Sequence, residues 1–520
     1  MGWWRSYAGD ERFSSSTLTI LISIFVVLWL VVKKQRKAAI PSLPPGPRGL
    51  PIVGYLPFVG TELHTKFHQL CGIYGPIYKV WLGNKLPIVI SSPSLVKEVV
   101  RDQDAIFSNR DTNIVGNIVS YGGADIAFSL NCPNWKMLWK IFVREMLSPA
   151  NLDSTFPLRR EEVRNTIRNV YNKKGTHIDL GDMAYVTVMN AIMNMLWGGT
   201  LHGVERAKFG AEFKHIFAEF VMIIGKPNVS DLFPALARFD LQGLKRKEKR
   251  ISETIDGVLD YAIDKQIKSL AKAKEEGKTK TGQKDLLQVL LELREQDPSM
   301  SMMQVKALVF DILIAATDTT TTMSEWVMAR LLKDPEIMRK VTEELTEIVG
   351  LDNLVEESHL PKLHYLEAVI KETLRLHPPG PFLLLRTPSE SSIIGGYCVP
   401  KGSSIFLHVW AIQRDPKYWD NPLEFKPERF LNNAYGTFDY LGNNFKYLPF
   451  GSGRRICAGI ALGDRTLKYI LASFLHSYEW KLPQGSEIEF FDTFSVVTKK
   501  KNPTIAIPTL RLSRSELYTE

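Results

Sequence analysis

The ten residues FGSGRRICAG, Phe450 to Gly459, place one cysteine among three glycines and two arginines in a chain that has four cysteines in 520 residues. The stretch that follows, AGIALGDRTLKYILASFLHSY, has apolar residues three and four apart and reads as a helix. A thiolate at the start of a helix is stabilised by the helix dipole and by free backbone N–H groups. Gly453 and Gly459 admit backbone conformations and close approaches that a side chain forbids. Arg455 adds a permanent cation whose planar fork suits a carboxylate, and Phe450 is available to shield the sulfur from water. Together these suit an iron porphyrin held from one face, with Cys457 on the metal and Arg455 on a propionate. The competing reading is an inert cysteine buried in a tight turn.

The other cysteines, Cys71, Cys132 and Cys398, show no CxxC or paired spacing, which argues against a cysteine zinc site and against a secreted disulfide framework. A reducing compartment fits. The net charge of +9 is modest for this length, and no basic stretch carries interleaved aromatics, so nucleic acid is excluded as a partner. An acidic protein or an anionic membrane surface suits the charge better.

FSSSTLTILISIFVVLWLVV, Phe13 to Val32, is 20 residues without a charge. At about 1.5 Å per residue it matches the roughly 30 Å hydrocarbon core of a bilayer. The charges before it cancel, whereas Lys33, Lys34, Arg36 and Lys37 follow, so the positive-inside rule leaves the rest of the chain in the cytosol. No small-residue cleavage site precedes the basic cluster, which disfavours a removable signal peptide. Residues 1–37 are thus expected to be a membrane anchor with a basic stop. Residues 38–59, with five prolines and three glycines between Pro41 and Gly54, are expected to be a stiff hinge, and 60–520 one catalytic domain.

Helical periodicity dominates after residue 60, as in EEVRNTIRNVYNKK and EKRISETIDGVLDYAIDKQIKSLAKAKEE. PIYKVWLG, LPIVISS and SSIFLHVWAI read as short strands, and AKAKEEGKTKTGQKD, Ala271 to Asp285, as a solvated loop. The expected fold is mainly α with a smaller β region, preceded by one transmembrane helix.

The full spacing F-x-x-G-x-R-x-C-x-G, met by Phe450, Gly453, Arg455, Cys457 and Gly459, resembles that of the cytochrome P-450 family, the haem-thiolate monooxygenases. The resemblance extends from LPPGPRGLPIVG through WAIQRDP and NPLEFKPERF to the end of the chain. It implies haem as cofactor and Cys457 as the axial ligand, which pushes electron density toward iron and favours O–O cleavage. Glu372 and Arg375 stand three apart in KETLRLHPPG, on one helix face, and with Arg429 of FKPERF they look like the family's Glu-Arg-Arg network, a structural brace behind the haem.

VKALVFDILIAATDTTTTMSEWVMARLL, Val305 to Leu332, is a long apolar helix whose central threonines are unfavourable by propensity. The resemblance supplies a reason, since AATDTT looks like the oxygen-binding motif, with Asp318 feeding protons and Thr319 beside the distal face as the catalytic pair. The alternative is that Thr319 only caps a backbone carbonyl within the helix. Two positions depart from the family pattern. Ala316 stands where glycine is common, and in NWKMLWK the motif W-x-x-x-R keeps Trp135 as a cofactor contact but has Trp139 in place of its arginine. Lys136, Lys140 or Arg386 are the candidates to replace that propionate cation.

The resemblance also implies an apolar substrate pocket from Phe310, Ile314, Ala315, Phe382, Leu383, Leu384, Phe494 and Val496, each also readable as core. No flavin or nicotinamide fingerprint is found, so electrons are expected from NADPH through a membrane-held cytochrome P-450 reductase docking on Lys140, Lys446 and Arg454. The chain is most similar to the plant A-type group. It is expected to be a single-pass protein of the endoplasmic reticulum membrane that hydroxylates a terpenoid, with a cadinene-type sesquiterpene as first choice and a flavonoid or alkaloid as the alternative. An isomerase or dehydratase on the same scaffold, or a haem sensor, are the remote alternatives.

Overall fold

The computed structural model describes Ser23 and residues 41–519 apart from 199–202, 276–283, 298 and 432–437. The expected anchor at 13–32 and most of the charged loop at 271–285 therefore lie outside the described residues. Among those described, no helix is long and apolar enough to cross a membrane.

Ten helices carry the argument: α1 (Leu63–Tyr74), α2 (Pro133–Glu145), α3 (Phe156–Tyr171), α4 (Leu180–Trp197), α5 (Gly203–Ile224), α6 (Leu244–Glu275), α7 (Met302–Lys333), α8 (Pro335–Val349), α9 (His364–Leu376) and α10 (Ile460–Ser477). The central one is α7, whose 32 residues span about 48 Å at 1.5 Å per residue. A capping box starts it: the Ser301 hydroxyl accepts from the Gln304 N–H at 3.2 Å, and the Gln304 side chain accepts from the Ser301 N–H at 2.7 Å. α7 packs along α4 and crosses α9 and α10, and one apolar core runs through all four.

Among the described residues the smaller β region contains twelve short strands: β1 (Ile77–Lys79), β2 (Pro87–Ile90), β3 (Asn109–Arg110), β4 (Ile178–Asp179), β5 (Arg386–Thr387), β6 (Ser392–Ile394), β7 (Tyr397–Val399), β8 (Ser404–Leu407), β9 (Tyr478–Lys481), β10 (Asp492–Thr493), β11 (Lys499–Lys500) and β12 (Ile505–Leu510). The largest sheet has the order β1-β2-β8-β5-β3. The strand expected across SSIFLHVWAI ends at Leu407; His408 breaks the extended path and Val409–Ile412 form a helical turn. An apolar run of this length has no period to separate strand from buried helix.

Residues 41–54 lie against the sheet, with Lys79 N–H donating to Pro45 O at 2.8 Å and Tyr55 N–H to Trp81 O at 2.7 Å.

Candidate active site

Cys457 lies three residues before α10, whose N-cap is Gly459. Its own N–H donates to Phe450 O at 2.9 Å and closes the loop. The side chain keeps accessible surface, yet desolvation among the surrounding protein pushes its thiol up, against the Gly459 N–H, which bonds the sulfur and lowers it. Surface of that kind belongs to an internal recess rather than to the outer face. The two loop glycines have different reasons. Gly453 has φ +72° and a Cβ there would stand 2.1 Å from Val100 O, so no side chain fits. Gly459 has an ordinary φ of −84°, and a Cβ on it would meet only the Cys457 sulfur, at 3.9 Å. Phe450 is half-buried and sits edge-on to Tyr440 at 4.9 Å.

Three guanidinium groups converge beside this loop. Antiparallel pairing of β3 with β5 sets Arg110 directly opposite Arg386, an arrangement of like charges that a sheet disfavours. Arg386 donates to Ser452 O at 2.8 Å and lies 3.8 Å from Asp104. Arg110 donates to Ala127 O at 3.1 Å and Leu384 O at 2.8 Å. Arg455 donates to Ser108 O at 2.7 Å, to Ile126 O at 3.2 Å and to Ser129 O. Among the described residues neither Arg110 nor Arg455 forms an ion pair with a carboxylate. Burial lowers the Arg455 and Arg386 pKa values to about 10 and that of Arg110 well below the usual value, with repulsion from Arg386 adding to the effect at both Arg455 and Arg110. Buried cations so arranged need an anion, and a porphyrin's two propionates meet that need. The residues present therefore fit a haem: a thiol in a recess, a glycine that keeps its face clear, and an anion-seeking edge. Nothing in the sequence marks Arg110 as a replacement for the missing arginine, because two-residue strands leave no periodicity to read. Lys136 and Lys140 are exposed.

Trp135 is buried, and its indole N–H donates to Ile126 O at 3.2 Å. Its ring lies under the Arg455 guanidinium at 4.2 Å, a cation–π contact. Trp139, one turn on, has its indole nitrogen buried without a partner. The Ile126 peptide is gripped on its other side as well, since Asp311 of α7 accepts from Ile126 N–H at 2.7 Å and from Ala127 N–H at 3.1 Å.

The AATDTT segment, Ala315 to Thr320, forms the middle of α7. Ala315 there is exposed and Thr319 half-exposed, while Thr317, Asp318 and Thr320 are buried. Ala315 and Thr319, four apart, share one face. The Thr319 hydroxyl donates to Ala315 O at 2.7 Å, the backbone-capping arrangement, and both its lone pairs remain free to accept. Desolvation raises the Asp318 pKa, and Lys499 of β11, which donates to Oδ1, opposes the rise. Asp318 Oδ2 and the hydroxyls of Thr317 and Tyr185 are buried without a hydrogen-bond partner, and Asp318 in turn raises the Tyr185 pKa, after desolvation. Polar atoms in that state suit ordered water. Lys499 and Tyr185 escaped the sequence reading because no local pattern joins them to Asp318.

Behind the cysteine loop the structure brings Glu372, Arg375 and Arg429 together, all buried. Arg375 binds Glu372 through two N–H···O bonds of 2.6 and 2.8 Å, and Arg429 reaches the same carboxylate at 3.3 Å. Arg375 also holds the backbone at Gln413 O and Pro422 O.

The pocket candidates divide. Phe310 is buried against Phe213 and Phe220, Ile314 and Val496 flank the main core, and Phe382 lies within a ring cluster of Phe67, Phe406, His408 and Phe494. Leu383 adopts a left-handed φ of +57°, which is strained for leucine, and Leu384 gives its carbonyl to Arg110.

The cytochrome P450 family profile matches residues 44–507. The chain is 37% identical over 507 residues to a flavonoid 3′-monooxygenase of Crocosmia x crocosmiiflora, covering 95% of this chain and 97% of that one. It is 34% identical over 505 residues to a 3,9-dihydroxypterocarpan 6A-monooxygenase of Glycine max, covering 95% and 98%. A zebra fish cytochrome P450 solved with abiraterone superposes with a TM-score of 0.73 at 25% identity, over 87% of this chain and all of that one. With a match across nearly its whole length, the chain belongs to the cytochrome P450 family and is a haem-thiolate monooxygenase.

Proposed function

We propose that this monooxygenase hydroxylates a flavonoid-type phenolic compound, with electrons from NADPH delivered by a reductase at the endoplasmic reticulum membrane. The observation that carries the substrate class is the set of whole-length relatives, which include a flavonoid 3′,5′-hydroxylase of Campanula medium at 33% identity as well as the two above. That set displaces the sesquiterpene as first choice, since none of these three relatives is named for a terpenoid.

In this reading Cys457 would bind the iron, and Arg455, Arg386 and Arg110 would hold the propionates. Bound there, the haem supplies reductive activation of O₂ and insertion of one oxygen atom into a C–H bond. Burial favours the neutral form of Asp318 and the Lys499 ammonium opposes it, so the pair offers a carboxyl poised to exchange a proton. Thr319 keeps free lone pairs beside Ala315 to accept from a water on the way in. Phe310, Ile314 and Val496 exclude bulk water and orient the substrate's aromatic rings by shape. Lys140 and Lys446 are exposed cations for an acidic reductase face, whereas Arg454 is already paired with Asp104 at 2.9 Å.

Microsomes carrying this protein and a plant reductase, given NADPH and parallel flavonoid and sesquiterpene panels, test the substrate class. Hydroxylated flavonoids are expected, and turnover confined to the sesquiterpenes would refute it. Cys457→Ser tests the ligand and is expected to lose the thiolate-type spectrum of the reduced carbon monoxide complex. Retention of that spectrum would move the ligand elsewhere.

A further inference from the structure

Away from the haem recess, three potential metal ligands meet where α1 begins. His64 of α1 is completely buried, and neither ring nitrogen has a hydrogen-bond partner. Glu62, the N-cap residue of α1, has Oε2 buried and equally unpartnered. Asp492 of β10 brings Oδ2 to 3.4 Å from His64 Nε2. One ligand atom from each of the three lies within 4.8 Å of the others. Leaving such buried polar groups unmatched is unfavourable, so each calls for a partner.

The 3.4 Å separation is informative. It is too long for a sound hydrogen bond between imidazole and carboxylate, where about 2.8–2.9 Å is usual. It equals the edge of a tetrahedron whose centre lies about 2.1 Å from each corner, the zinc–nitrogen and zinc–oxygen bond length. Two carboxylates and a neutral imidazole also leave a charge of minus two, which a divalent cation cancels. Imidazole selects zinc over calcium or magnesium, which prefer oxygen-only sets. We propose that Glu62, His64 and Asp492 form a zinc site, with water as the fourth ligand.

The surroundings are built to hold the imidazole still. Its ring is stacked on Phe494 at 5.6 Å and meets the edge of Trp410 at 5.1 Å. A competing cation is Arg414, which lies 3.9 Å over the Trp410 ring and interacts with Asp492. Its attraction for Asp492 competes with the metal and tempers affinity. The metal satisfies one ring nitrogen of His64 and leaves the other as it is.

The site has a purpose in the fold. Asp492 pairs with Lys500 across the β10–β11 hairpin. That hairpin carries Phe494 and Val496 at its turn and delivers Lys499 to Asp318. A zinc ion joining Asp492 to the start of α1 pins the hairpin to the body, and so fixes part of the substrate wall and the partner of the proton-handling carboxylate together.

The test uses the full-length haem-loaded protein in detergent, stripped with EDTA and dialysed against citrate-buffered zinc chloride. Zinc and iron are counted by mass spectrometry. About one zinc per haem iron is expected, falling to background in His64→Gln and in Asp492→Asn. His68→Gln, which removes an exposed histidine from the same helix outside the ligand set, is expected to keep the wild-type ratio. The reduced carbon monoxide spectrum of each variant reports that it has folded, and Asp492, with a partly exposed side chain, is the variant to rely on if His64→Gln fails that check. Background zinc in the wild-type protein overturns the proposal and leaves an imidazolium bridging two carboxylates. A wild-type ratio in a folded Asp492→Asn, or a loss in His68→Gln, overturns the assignment of ligands. None of these readings depends on which substrate the enzyme takes.

Discussion

Lys499 reaches Asp318 across 181 positions of sequence. Its ammonium is part-exposed while the carboxylate is almost wholly buried, so the pair links solvent to the buried middle of α7. Desolvation raises the Asp318 pKa and Lys499 holds it down. Lys499→Met removes the opposing charge, so the Asp318 pKa rises further and the group stays protonated to higher pH. The inflection in the pH profile of product formation that belongs to Asp318 is expected to move upward, with more NADPH consumed per product; an unmoved profile would show that the ion pair does not set this proton. The loop around Cys457 and Arg455 was legible because its pattern lies within ten neighbouring residues. Lys499 was not, because its role is set by a hairpin that folds back from far along the chain.

At the level of elements, the link between α9 and the Pro427–Phe430 turn is the Glu372 carboxylate, which receives both Arg375 and Arg429. Removing one partner of a buried charge set costs far more than the pair contributes, about 3–5 kcal/mol. Glu372→Ala is expected to lower the guanidinium midpoint accordingly and to cut the yield of haem-loaded protein, whereas Glu372→Gln, which keeps an acceptor oxygen, loses less. The i,i+3 spacing of Glu372 and Arg375 placed them on one face from sequence alone. The pairing of β3 with β5 was hidden by strands of two residues, too short to show alternation, and with it Arg110 as the partner of Arg386.

For the whole molecule, stability carries a pH signature from the loop at Asp125 to Ser129, which bonds Arg455 and α7. Burial pushes the Asp125 pKa up to about 6, and Asp311, which holds the Ile126 and Ala127 N–H groups, is pushed well up by burial and by Asp125. A carboxyl whose folded pKa lies above its unfolded value near 3.9 is neutral in both states at low pH and loses stability as pH climbs from about 4 to about 6. Over that window wild type is expected to lose about 2–3 kcal/mol relative to Asp125→Asn, read as the difference between two denaturation series. Equal pH dependence in the two proteins would place the proton elsewhere. Helix-rich architecture was legible from periodicity, and part of the short β region from β-like runs such as PIYKVWLG and LPIVISS. The membrane anchor read at 13–32 concerns residues outside those described, and the substrate class shifted once whole-length relatives were compared.

The crossing of Arg110 and Arg386 on facing strands has a consequence for how the enzyme comes into being. Three buried cations repel one another in the polypeptide alone, and an incoming dianion relieves them, so haem binds the native state in preference to the unfolded one. Occupancy and folding are then coupled by mass action, and each tenfold rise in free haem above its dissociation constant adds about 1.4 kcal/mol to the native state. Expression in haem-limited cells is expected to yield less native protein, and Arg110→Gln to fold less dependently on haem supply than wild type. In a plant cell the same coupling makes porphyrin synthesis a quantity control on this enzyme, acting before any substrate is met.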